Sequence, residues 1–420
     1  HVVCRRQRQM CIRDRHYTKD NQYKCVETQD LKKSVEEVTG QNLDWFFQQW
    51  LFEPGFPKYD VKWTYNQRNK SIKLNVKQVQ DGPLFKMPIK VKIDEMDQTI
   101  WVEDKEAIFE IPSKKRPELV IFNSGQMVPS ELTFNKPISE WILQLENSTH
   151  ILDKISAINV LKDKKGRRVV EMALLKAAES DPFWGVRREA VYALAAHKSK
   201  KYAADLINIS EGQDNRVRRA IWYALRNYKN NEQVSSFLQE IIDTDKKYYS
   251  ISDAFRSLVI VDSSAAKKKV GDLLNRDSHN DVIRKAAISY YGTVKNDFNY
   301  NELKNLAAYG GTTWDARPEA VNQLAKYAKD EPETINMFIE FLDDNTRNVR
   351  RNAVRQIGRY GSEKHFNALD ELLAVDPILE RDIRSAKKNI LKATKTSKTN
   401  NEKEIDELNR KLEDIRKLIN

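Results

Sequence analysis

One helical stripe returns seven times between residues 150 and 391, and this repetition limits the chain to few architectures. Its first position falls at Lys154, Arg187, Arg218, Ile251, Arg284, Arg317 and Arg350, at steps of 33, 31, 33, 33, 33 and 33 residues. Three residues further on stand Ala157, Ala190, Ile221, Ala254, Ala287, Ala320 and Ala353. Four further on are Ile158, Val191, Trp222, Phe255, Ile288, Val321 and Val354. Seven further on are Leu161, Leu194, Leu225, Leu258, Tyr291, Leu324 and Ile357. These offsets place all four side chains on one face of a helix. A fixed period of this length, with room for a second helix in each unit, marks an α-solenoid. One helix pair cannot bury its own apolar face, so neighbours must cover it. The stripe is therefore expected to be buried, and intervening residues such as Lys285 to be exposed.

The strings Asp181-Pro182…Val186-Arg187-Arg188 and Asp344…Val349-Arg350-Arg351 resemble HEAT-type repeats. That resemblance implies a turn Asp and a helix Arg that satisfy backbone groups and each other. Arg187, Arg284, Arg317 and Arg350 are therefore read as structural. The competing reading is a row of arginines for a substrate or phosphate. Ile251 interrupts the row, which favours the structural reading.

Ahead of the repeats the period is two. Ser71–Lys77 and Ile89–Ile93 alternate apolar and polar residues. Further short strands are expected at Tyr59–Tyr65, Thr99–Val102, Ala107–Ile111 and Leu119–Phe122, parted by Asn, Asp, Gly, Pro and Ser. Such strands with one apolar face predict a small antiparallel β-sandwich, its core including Ile72, Leu74, Val76, Ile89, Val91 and Ile93. A carbohydrate-binding module is the competing reading, and no row of aromatic residues in the sequence supports it.

Before the sandwich, Leu31, Val35 and Val38 share one helical face, with Thr28 or Asp30 as expected N-cap and Gly40 as stop. A second helix carries Leu43, Trp45, Phe46, Phe47 and Trp50, and Pro54-Gly55-Phe56-Pro57 closes it. The ordered set Thr28, Asp30-Leu31, Glu36, Thr39-Gly40, Leu43, Phe46-Phe47, Gln49-Trp50 and Pro54–Pro57 resembles the aminopeptidase N family at the end of its thermolysin-like domain. The string Val76–Gln80 and the strand at Pro88 are similar to that family's sandwich. The resemblance covers Lys24 to about Asn135. It implies a zinc-dependent aminopeptidase acting on peptides, with a helical C-terminal domain that bounds the substrate chamber.

A zinc peptidase of this kind needs two His on one helix face, a Glu between them and a Glu downstream. The histidines here are His1, His16, His150, His197, His279 and His365; no two lie four apart and none precedes a Glu. The family's Gly-Ala-Met-Glu-Asn string and a catalytic Tyr segment are likewise missing from this sequence. There is also no Gly-rich phosphate loop and no Ser nucleophile elbow. The expectation is therefore a C-terminal fragment with no catalytic, cofactor-binding or metal-binding residue of its own, zinc belonging to the full-length parent. The alternative is a non-catalytic HEAT-repeat scaffold that binds a protein.

The expected order is 1–15 outside the fold, 16–57 the end of the catalytic domain, 58–134 the sandwich, 135–391 the solenoid and 392–420 a linker and terminal amphipathic helix. His1–Arg15 is rich in Arg and Gln, where the rest prefers Lys, and resembles an artefact of assembled sequence. The last segment places Ile405, Leu408, Leu412, Ile415 and Ile419 on one face. Net charge is +11, but Lys and Arg are interspersed with Asp and Glu, so no nucleic-acid partner is expected. No apolar run is long enough to cross a bilayer. Cys4, Cys11 and Cys25 are the only cysteines, so no disulfide framework holds the main body, and the compartment stays open.

Overall fold

The computed structural model describes Ile12, residues 14–396, Leu408 and Lys411. Most of the segment 1–15, and Ile405, Leu412, Ile415 and Ile419, lie outside the described residues. The chain packs as two compact units divided between His197 and Lys198.

The first unit opens with helices α1 (residues 14–20) and α2 (Thr28–Thr39). Asp14 and Arg15, expected outside the fold, are helical, and the Thr18 hydroxyl donates to the Asp14 carbonyl at 2.8 Å. The N-cap of α2 is neither Thr28 nor Asp30 but Glu27, in extended conformation. Its N–H donates to the Asp30 carboxylate at 2.9 Å, so Asp30 serves the cap from inside the first turn. Gly40 ends α2 at φ 67°, a left-handed conformation that costs glycine little. Helix α3 (Asp44–Phe47) continues into a π-turn, Gln48–Phe52.

Seven strands follow: β1 (Lys58–Asn66), β2 (Ser71–Gln78), β3 (Met87–Ile93), β4 (Met96–Val102), β5 (Glu106–Pro112), β6 (Val120–Phe122) and β7 (Glu131–Phe134). One sheet has the order β5-β2-β1-β7, the other β4-β3-β6. Every pairing is antiparallel except β1 with β7, where Tyr59 lies opposite Leu132 in parallel register. The period of two decides the core. Ile72, Leu74, Val76, Ile89, Val91 and Ile93 are all buried, while Lys73 and Lys77 between them are exposed.

Two glutamines complete the sandwich where Phe85 and Lys86 leave the ladder. The Gln78 amide donates to the Phe85 carbonyl at 2.9 Å and accepts the Phe85 N–H at 2.9 Å. The Gln49 amide does the same for Lys86, at 3.1 and 2.9 Å. Both side chains are buried, and each stands in for a missing strand. Trp45 stacks edge-on against Trp101 at 5.6 Å, and Trp50 lies 5.4 Å from Phe85. The Phe-Phe-x-Gln-Trp string is thus a clamp that fixes the α3 segment to the sandwich.

The remainder is helical. In the first unit it comprises α4 (Ile138–Asn147), α5 (Ile151–Leu161), α6 (Arg168–Ser180) and α7 (Trp184–His197). The second unit contains α8 (Ala203–Ile209), α9 (Asn215–Leu225), α10 (Glu232–Thr244), α11 (Tyr248–Val261), α12 (Ser263–Asn275) and α13 (Val282–Thr293). It continues with α14 (Asp297–Ala307), α15 (Arg317–Leu324), α16 (Thr334–Glu340), α17 (Arg347–Tyr360), α18 (Phe366–Val375) and α19 (residues 380–396). The repeated stripe lies on α5, α7, α9, α11, α13, α15 and α17, and every apolar residue assigned to it is buried.

Two details differ from expectation. The linker expected from Lys392 is helical through Thr396, where the Thr394 and Thr396 hydroxyls donate to the carbonyls of Ile390 and Lys392. Lys285 is half-buried, held by Asp315 at 2.7 Å and the Asn280 carbonyl at 2.8 Å. No helix among the described residues is long and apolar enough to cross a membrane.

Candidate functional site

The first position is cationic in every repeat but that of Ile251, and the cation holds one or two of the turns. Arg350 donates to the carbonyl of Asp344, in its own repeat's turn, at 2.5 Å, and to the Asp376 carboxylate, in the next, at 2.6 Å. Arg317 bonds the Ala307 carbonyl at 3.1 Å and pairs with Asp344. Arg218 pairs with Asp245 at 2.8 Å, Lys154 pairs with Asp181 at 2.6 Å, and Arg187 donates to the Asp181 carbonyl at 2.6 Å. The aspartates in turn accept from backbone N–H groups just ahead of the next helix: Phe183 to Asp181, Lys247 to Asp245 and Thr346 to Asp344. These carboxylates are buried or half-buried, and each meets both a cation and a turn donor or a second Arg. The arginines are occupied in holding repeats together, as the structural reading held.

The break at Ile251 has a visible consequence. No cation there reaches the next turn, and the Asp277 side chain is 96% exposed. Arg284 of its own repeat turns to it instead, at 3.0 Å, and also bonds Asp281 and the Leu274 carbonyl.

The histidines are scattered. His197 is buried, with Nε2 on the Leu161 carbonyl at 3.1 Å and Nδ1 3.8 Å from Glu171. His365 accepts the Ser362 N–H at 3.0 Å, and its burial lowers its pKa. His150 lies beside Gly125, and His279 sits in the short turn before α13. Among the described residues, one group, His16, Asp20 and Glu37, could hold a metal ion. Its ring nitrogens point to different partners, Nδ1 to Asp20 at 3.3 Å and Nε2 to Glu37 at 3.6 Å. The three side chains tie α1 to α2, and each offers one ligand atom within 4.8 Å of the others. The set contains one histidine, where a zinc peptidase uses two on one helix face with a carboxylate.

A buried polar cluster, which the sequence reading did not single out, joins the sandwich to α4 and α5. The Lys136 ammonium donates to the Val120 carbonyl at 2.9 Å and to Gln144 at 2.7 Å, and lies 3.6 Å from Glu140. It also sits over the rings of Trp141 at 4.3 Å and Phe134 at 5.1 Å. Glu140 accepts from the Val120 N–H and from the Trp63 indole. Asp153 accepts from Ser124, the Gly125 N–H and Ser148. Burial lowers the Lys136 pKa to about 8, against the pull of Glu140 and Asp153, and burial raises that of Glu140. A cavity of about 380 Å³ opens beside the cluster, walled by Phe122, Phe134 and Trp141 with Asn123, Gln144 and Asp153. The signal in the sequence was Lys136 and Glu140 four apart, flanking Pro137, among apolar residues.

Residues 138–226, 171–258 and 302–387 match the model described as HEAT repeats. The helix pairs form a HEAT-like solenoid architecture. The structure is also similar to that of Legionella pneumophila aminopeptidase A, solved in complex with aspartic acid, with a TM-score of 0.60 and 14% identity. The match covers 90% of this chain and 53% of that one, so this chain spans about half the length of the protein it resembles. At that identity the likeness is one of fold, and the HEAT-like repeats share it with an aminopeptidase.

Proposed function

We propose that this chain is the C-terminal portion of a zinc-dependent aminopeptidase of the aminopeptidase N type. In this reading residues 16–57 end the catalytic domain. The sandwich at 58–134 follows, and the repeats at 135–391 bound the chamber that receives peptides. The observation that carries the proposal is the clamp of Trp45, Gln49 and Trp50 on the sandwich. It gives a physical task to the same string that resembles the family, in a chain whose fold follows an aminopeptidase over most of its length. Compatible with it, Leu31, Phe46, Leu51, Phe52 and Phe56 are exposed between residues 31 and 56, apolar side chains that a neighbouring domain could cover. The zinc and the hydrolysis of N-terminal residues belong, in this proposal, to the longer protein.

The test compares this chain with the protein encoded by its full reading frame. The chain alone is expected to keep no stoichiometric zinc after dialysis and to leave aminoacyl reporters intact. The longer protein should cleave them and lose activity on chelation. Zinc and chelator-sensitive activity in the chain alone would overturn the assignment. A frame with no His-Glu-x-x-His upstream of residue 16 would also overturn it, and would favour the scaffold reading.

A further inference from the structure

The helices that carry the buried stripe also carry a second stripe in the second unit, whose charged members reach the surface while Ser252 and Ser289 are buried. This second stripe occupies offsets of one, five and nine from the repeat's first position. On α17 these offsets give Arg351, Arg355 and Arg359, four residues apart and so on one face. On α11 and α13 they include Arg256 and Lys285, and Lys326 lies in the turn that follows α15. Side chains in and beside the stripe join neighbouring helices. Gln356 donates to Asn322 at 3.1 Å, Asn352 to the Pro318 carbonyl at 2.8 Å, and Lys326 to the Thr293 hydroxyl at 3.4 Å.

Carboxylates do not balance this surface. Asp382 serves both Arg351 and Arg355, one oxygen to each, at 3.2 and 3.1 Å. Asp315 serves Lys285. Among the described residues, Arg256, Lys326 and Arg359 have no carboxylate within ion-pair distance. The nearest oxygen partner of Arg359 is the neutral Gln356 amide, at 3.5 Å. Desolvation lowers the Lys326 pKa from its ordinary value, Glu319 opposing the shift and Arg256 and Lys295 adding smaller contributions to it. Cations are thus gathered here against their own repulsion, unlike the compensated arginines inside the repeats.

We propose that the charged members of this stripe, from α11 to α17, form a docking surface for an extended acidic peptide segment. The spacing fits. Residues four apart on a helix rise about 6 Å. Alternate side chains on one face of an extended chain are about 6.6–6.8 Å apart. Glutamates at alternate positions therefore meet Arg355 and Arg359 in turn, and guanidinium pairs well with carboxylate. The amide N–H of the half-buried Asn322, beside the cationic rows, can donate to the peptide backbone. A single-stranded nucleic acid fits less well, because none of the residues at these three offsets on the four helices is aromatic, and base stacking needs such a face. The inference stands apart from the peptidase reading, since it concerns binding by this chain and no hydrolysis.

The experiment measures fluorescence anisotropy of a labelled peptide of alternating Glu and Ala with the full chain, at low and at raised salt. Saturable binding that weakens with salt is expected, together with little binding of the matching Gln-Ala peptide. Arg355→Gln with Arg359→Gln should weaken binding by about tenfold. Lys326→Gln, one helix away, should weaken it in the same direction. Lys267→Gln, exposed on α12 in the other helix layer, should leave it unchanged. No saturable binding of the Glu peptide would overturn the proposal. So would an equal loss from Lys267→Gln, or tighter binding of an oligouridylate of the same charge.

Discussion

Replacing Gly358 and Gly271 by alanine, one at a time, should change stability in opposite directions. Both lie inside helices of the second unit, α17 and α12. In a helix interior alanine is favoured over glycine by about 0.8–1.0 kcal/mol, from propensity alone. At Gly271 an added Cβ meets nothing within 4 Å, so Gly271→Ala should gain about that amount. At Gly358 the same atom would lie 2.7 Å from the Cα and 2.8 Å from the Cβ of Ala386 in α19. Carbon atoms pack best at about 3.5–4.0 Å. The obstacle is backbone, so no rotamer can relieve it, and α17 and α19 must part by about 1 Å at that point. Overpacking costs about 1–3 kcal/mol, and a backbone clash belongs in the upper half of that range. Subtracting the propensity gain leaves Gly358→Ala destabilised by about 1–2 kcal/mol. The two variants should then differ by about 2–3 kcal/mol, which in urea separates their midpoints by about 1 M. Circular dichroism during urea unfolding measures this in the transition that both variants shift. A Gly358→Ala chain as stable as the parent would refute the close packing of α17 on α19. A destabilised Gly271→Ala would refute the assignment of that position to open space.

Leu74→Asp should destabilise the first unit by roughly 3–5 kcal/mol, since it buries an unpaired charge between the sheets; an unchanged thermal melt would put the register of β2 one residue off. Lys136 offers a pH test. Its folded pKa is lowered to about 8 from 10.5, so below about pH 8 both states are protonated and the burial penalty is fully present. Between about 8 and 10.5 the unfolded chain binds the extra proton, and stability gains with rising pH. Melting temperatures of the parent and of Lys136→Met, followed across that window, should show the parent gaining relative to the variant; parallel curves would mean that Lys136 is not held in a desolvating site.

What could be read in the sequence is what short range determines. The stripe at offsets 3, 4 and 7 repeats within a single helix, and the structure buries all of it because stacking leaves those residues nowhere else to go. The turn aspartates were legible for a similar reason, since each lies a few residues from the helix it caps and one repeat from the cation that neutralises it. Even the exception follows this rule. With Ile251 in place of a cation, Asp277 loses its buried partner and moves to solvent, and Arg284 is left to collect it. The Lys136 cluster obeys no such rule. Its charge is neutralised by Glu140 four residues on, but its position depends on Val120, Trp63, Gln144 and Asp153, which come together only when β1, β6, α4 and α5 have packed. The parallel pairing of β7 with β1 depends in the same way on segments some seventy residues apart, and four residues of alternating pattern are too few to announce it. The candidate surface on α11 to α17 lies between these cases. The spacing of Arg351, Arg355 and Arg359 is in the sequence, but which of the cations lack a carboxylate is decided by the neighbouring repeats, and that imbalance is what gives the face something to bind.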